Sequence, residues 1–127
     1  MQFFNSLGQY RPQALAVLRI IAALLFIEHG TMKLFGFPAP MGDGALPPLL
    51  LIAALLEVVG GAFLVVGFMT RPVAFLLSGQ MAVAYFMAHA SKGFWPALNG
   101  GEGAILFCFI FLYLVFSGPG AWAVDKN

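Results

Sequence analysis

The chain has 127 residues, of which 61% are hydrophobic and only 9% charged, and its mean hydropathy is +0.94. A soluble domain averages about 45–50% apolar and about 25% charged residues, so this composition excludes the ordinary globular class and leaves a membrane bundle. The net charge of +1 supplies no basic field for nucleic acid, and the single cysteine excludes an internal disulfide.

A helical crossing needs roughly 20 apolar residues, so the length allows four crossings joined by short connections and no separate soluble domain. Residues 1–11 bring Phe3, Phe4 and Tyr10 into a segment suited to lie on the membrane surface. The first span runs from about Pro12 to Leu34. It lacks the basic lead and small-residue cleavage site of a signal peptide, and is read as retained. Pro12 suits a helix start, while Gly36, Pro38 and Pro40 stop the helix. Span two opens at Pro47-Pro48 and runs to about Phe68; the tight Thr70-Arg71-Pro72 connection leads into span three, which continues to about Ala90. Asn99-Gly-Gly-Glu102 opens span four, which ends at Ser117 before Gly118-Pro119-Gly120. Cys108, inside that span, reads as a small buried hydrophobe.

The expected fold is therefore all-α, a polytopic four-transmembrane-helix bundle forming one domain over residues 1–127, with spans at about 12–34, 47–68, 72–90 and 101–117. Trp95 and Trp122 fall just outside spans, where amphipathic rings favour the interface. Both termini share a side with Arg11, Arg71 and Lys126, against Lys33 and Lys92 opposite. The positive-inside rule then gives cytoplasmic termini.

Polar residues inside the spans carry the functional question. Glu57 stands in the middle of an apolar run, where a carboxylate survives by facing a partner or a polar cavity. Ala53, Gly60 and Gly67 recur every seven residues on its face, so the acid is expected to point into a closely packed bundle. Arg19, Gly30 and Lys33 share one face of span one, with His29 beside them and Glu28 nearly opposite Arg19. The expectation is a buried Arg19–Glu57 ion pair that locks spans one and two together.

On the side away from the termini, Glu28, His29, Lys33, Tyr85, His89 and Glu102 converge in depth and make a candidate pocket. Each has a plainer role. Glu102 stands three residues after Asn99, the spacing of a reciprocal helix cap; Lys33 and Lys92 suit snorkelling to the interface. His29 and His89 would ligate haem only if both faced one cavity, and no close spacing of His, Glu or Cys selects a metal.

These residues carry a resemblance. Arg19 through Gly36, with His29-Gly30 and Lys33, resembles the first span of the DoxX family of small membrane proteins. The likeness continues through Glu57-Val-Val-Gly60-Gly61, Gly67-Phe-Met-Thr70-Arg71, the glycine-glutamate start of span four, and Ser117-Gly118-Pro119-Gly120 followed by Asp125. It implies a four-helix protein of the bacterial inner membrane, linked to quinol or thiosulfate:quinone oxidoreductase systems or to oxidative-stress tolerance. It also marks Arg19, His29, Lys33, Glu57, Arg71, Glu102 and Asp125 as family positions, with Glu28 and His89 less directly covered.

The leading expectation is a quinone-linked accessory subunit of a membrane oxidoreductase, its polar pocket open to the non-cytoplasmic side. Apolar walls suit a quinone ring, its carbonyls need donors, and histidine titrates where reduction needs protons. The expected partners are the lipid bilayer, a redox enzyme and a further copy of the chain. The alternatives are a membrane scaffold without chemistry or a stress-tolerance partner protein, and a small-molecule or proton-linked transporter acting as an oligomer.

Overall fold

A computed structural model describes residues 1–42 and 44–126. After α1 (Gln2–Ser6) and one 3₁₀ stretch (Leu7–Tyr10) come the long helix α2 (Arg11–Phe35), then α3 (Pro48–Val66) and α4 (Thr70–Ala88). A second 3₁₀ turn (Ala90–Lys92) and the short α5 (Pro96–Asn99) lead into α6 (Glu102–Ser117). The molecule is a helical membrane bundle: among the described residues three helical stretches are long and apolar enough to cross a bilayer, and α6 is a shorter apolar helix.

Proline and glycine set the helix ends as their backbone chemistry requires. Pro12 and Pro48 stand in the first turns of α2 and α3. Gly67 ends α3 in the left-handed region at φ 68°. There the Gly67 and Phe68 N–H groups donate to the Leu64 and Phe63 carbonyls, and the Phe63 and Phe68 rings meet 5.6 Å apart. That is the hydrogen-bond pattern and apolar contact of a glycine-terminated helix.

The helices associate in two close pairs, α2 with α3 and α4 with α6. In the first pair a Cβ placed on Gly30 would lie 2.7 Å from Val58 and 2.9 Å from the Ala54 carbonyl, and one on Gly61 would meet Ile27. Small residues thus let the two backbones nearly touch, which is how helices associate where lipid removes the hydrophobic driving force. In the second pair Ala74, Leu77 and Met81 pack with Phe111 and Leu114. Ser78 Oγ donates to the Cys108 carbonyl at 2.8 Å, and Cys108 itself is half-buried. Leu77 seats over Gly60, and Phe26 stacks edge-on against Phe111 at 5.0 Å, so the pairs share one core.

Candidate functional site

At the end that holds the termini, three charged side chains tie irregular backbone to helix ends. Arg19 is fully buried. Its guanidinium donates to the carbonyls of Pro119, Ala121 (3.0 Å), Trp122 (2.9 Å) and Val65 (3.3 Å). The expected Arg19–Glu57 pair is therefore corrected. Arg19 lies level with the end of α3 beside Gly67, whereas Glu57 is ten residues earlier, about 15 Å along the axis. Segment 119–122 is not helical, so its carbonyls need donors, and the planar fork of arginine supplies several at once. Ala121 N–H donates in turn to the Pro12 carbonyl at 2.9 Å.

Arg71 donates to the Val115 and Phe116 carbonyls in the last turn of α6, at 2.8 and 2.7 Å. Asp125 accepts the Met69 and Thr70 N–H groups at 2.9 and 2.7 Å, capping α4 from the far end of the chain. The Thr70 amide holds the Asp125 carboxyl below its ordinary 3.8, helped by the Met69 amide and Arg19 and outweighing the opposing effect of burial.

Midway through the bundle, Glu57 is 2% exposed. Lys33 Nζ donates to both its oxygens at 2.7 and 2.9 Å, and Gln80 Nε2 donates to Oε2 at 3.1 Å and to the Ala53 carbonyl at 3.3 Å. Lys33 thus turns its ammonium into the bundle instead of outward to the interface, and three helices converge on one carboxylate. Gln80 Oε1 is buried without a hydrogen-bond partner among the described residues.

Toward the other end, Tyr85, His89 and Asn99 form a second cluster. Asn99 is buried. Its Nδ2 donates to the Tyr85 hydroxyl at 3.1 Å and the Gly93 carbonyl at 2.9 Å, and its Oδ1 accepts the Gly101 N–H at 2.8 Å. His89 Nδ1 lies 3.2 Å from the Asn99 carbonyl, and its ring tilts over that of Tyr85 at 6.4 Å. A cleft of about 350 Å³ opens beside them, lined by Tyr85, Phe86, Ala90, Phe94, Trp95 and Pro96.

The six expected pocket residues do not gather into one site. Tyr85 and His89 stand together and Lys33 is engaged by Glu57. Glu102 is exposed at the first position of α6, so its carboxylate meets the positive end of that helix. The reciprocal cap with Asn99 is absent, because Gly101 occupies the cap position. Glu28 is exposed, and its carboxylate makes no hydrogen bond or ion pair among the described residues. His29 lies edge-on to Phe107 at 5.7 Å, with Nδ1 2.8 Å from the Leu25 carbonyl. Among the described residues no three His, Cys, Asp or Glu side chains cluster to hold a metal ion.

Gln80 and Asn99 organise two clusters, and charge-based reading of the sequence passes over Gln80 altogether. The signal available was an amide inside an apolar span, which needs partners as a charge does.

The DoxX family profile matches residues 14–90. An uncharacterized protein of Haemophilus influenzae is 52% identical over 129 residues, covering 97% of this chain and 96% of its own length. Inner membrane protein YphA of Escherichia coli is 31% identical over 143 residues, covering all of this chain and 98% of its own. Inner membrane protein YqjF of the same organism is 30% identical over 122 residues, covering 87% and 88%. No solved structure matches the chain.

Proposed function

The chain belongs to the DoxX family, and on that premise we propose that it is an inner-membrane subunit holding a quinone-like molecule for a membrane oxidoreductase. The observation that carries this reading is the aromatic cleft at Tyr85. Phe86, Phe94 and Trp95 offer flat apolar walls for a ring and the start of a tail. Tyr85 Oη accepts from Asn99, which leaves its own proton to donate to a quinone carbonyl. His89 stands beside it, its ring tilted over that of Tyr85, and supplies an imidazole able to carry a proton. In this reading the chain binds, orients and protonates the quinone, and the electrons come from the partner enzyme. Glu28, His29, Lys33 and Glu102 lie outside the cleft.

Orientation follows the same reasoning. With the Lys33 ammonium drawn to Glu57, Arg11, Arg71 and Lys126 at the terminus end face only Lys92 opposite. This supports cytoplasmic termini and a cleft on the non-cytoplasmic side.

The test uses Trp95 as a reporter in a Trp122→Phe background. Titration with a short-tailed benzoquinone is expected to quench Trp95 emission saturably, and Tyr85→Phe to weaken binding about tenfold, the worth of one hydrogen bond to a desolvated carbonyl. Unsaturable quenching that is equal in both variants counts against the cleft.

A second reading, a membrane scaffold without chemistry, is favoured by the use of Arg19, Lys33, Glu57, Arg71 and Asp125 in contacts within the chain. Co-purification of a redox enzyme that persists undiminished in Tyr85→Phe and His89→Ala supports it.

A further inference from the structure

A Cβ on Gly30 would lie 2.9 Å from the Ala54 carbonyl and 3.0 Å from Glu57 Cβ, so this part of α2 is level with Glu57. Glu57 is the central residue of α3. Glu28, two residues away, therefore sits near the middle of the membrane. It points away from the bundle: Glu28 is exposed, and so are Leu18, Ile21 and Leu25 on its side of α2. Together with Met32, the residues Leu18, Ile21, Leu25 and Glu28 follow spacings of three, four, three and four, the alternation of a helix–helix seam. An ionisable group at this depth is normally paired, and Glu28 has no partner within the chain among the described residues.

We propose that this outward face of α2 is the contact between two copies of the chain, with Glu28 of each reaching His29 of the other. The acid and the imidazole are adjacent, so the face is self-complementary. A two-fold axis makes every contact twice, and one Glu28–His29 contact thereby satisfies all four groups. His29 is suited to this. Its Nδ1 is engaged by the Leu25 carbonyl, which leaves Nε2 for the carboxyl group of the second copy. The proton between them is shared in either form, as a carboxylate with an imidazolium or a carboxylic acid with a neutral ring. The apolar seam supplies the packing around it. The contact is independent of the Tyr85 cleft.

Disulfide cross-linking in native membranes tests the proposal. In a Cys108→Ala background, Ile21→Cys and Leu25→Cys are expected to give a covalent dimer on oxidation. Val59→Cys and Phe75→Cys, at least as exposed on α3 and α4, are expected to give none. Adding Glu28→Leu lowers the Leu25→Cys dimer yield several-fold, and exchanging the pair (Glu28→His with His29→Glu) restores it. Absence of α2 cross-links, equal yields at Val59→Cys, cross-links only to a different polypeptide, or a yield unmoved by Glu28→Leu each overturn the proposal. Because no readout involves quinone, failure here leaves the cleft reading untouched.

Discussion

Lys33 and Glu57 hold each other inside the bundle, with side-chain exposures of 13% and 2%. Burying two charges is costly, and the pair is tolerated because each partner satisfies the other and Gln80 adds a donor. Removing one partner strands the other. Lys33→Met or Glu57→Leu alone is therefore expected to cost about 3–5 kcal/mol, while the double substitution costs far less. Reversible unfolding in detergent, run as a double-mutant cycle, measures this, and additive losses would contradict the pairing. Part of this chemistry was readable beforehand: a glutamate at the centre of an apolar span had to face inward. Its partner was not. Arg19 and Lys33 share a helix face, and side-chain periodicity does not register the carbonyls that segment 119–122 offers to Arg19. An irregular segment competes for an arginine as strongly as a carboxylate does, and no hydrophobic pattern announces it.

Helix positions followed from prolines, glycines and apolar runs, because those signals act locally on the backbone. Which face met which helix was harder. Glu57 does face inward, but the glycines around it serve different neighbours: Gly60 accommodates Leu77 of α4, Gly61 accommodates Ile27 of α2, and Gly67 approaches Ala123 and Arg19. A stripe of small residues marks close approach without naming the helix that approaches. Gly30 and Gly79 make the contrast measurable. Gly30→Ala forces its methyl into Val58 and the Ala54 carbonyl and is expected to destabilise by about 1–3 kcal/mol, as overpacking does. A Cβ on Gly79 meets nothing within 4 Å, so Gly79→Ala is expected to be neutral or stabilising by up to about 1 kcal/mol. Parallel thermal melts of the two variants check the difference, and equal losses would argue against close α2–α3 packing.

Across the whole molecule, composition and hydropathy were enough for the membrane bundle, while the closing role of residues 118–126 was visible only as a list of polar positions. Arg19, Arg71 and Asp125 turn out to be joints, connecting that segment to α2, the end of α6 to α4, and the start of α4 to Asp125. Asp125→Ala removes the acceptor for two N–H groups and is expected to cost about 0.5–2 kcal/mol at neutral pH. The folded carboxyl titrates below the ordinary 3.8. Its stabilisation is thus present above the unfolded value and lost as pH falls through the lower folded one. Unfolding curves of the wild type and Asp125→Ala should converge at acid pH; a gap that persists there would assign the loss to something other than the charged cap.

The Arg19 contact also has a direction in time. Three of its four acceptors lie about a hundred residues later in the chain, so at roughly 5–20 residues per second the guanidinium waits several seconds or more for them. Any nascent chain halted before Pro119 leaves that cation with the Val65 carbonyl as its remaining acceptor. Completion of synthesis is what hides it, and unfinished chains remain chemically distinguishable from finished ones to whatever machinery surveys the membrane.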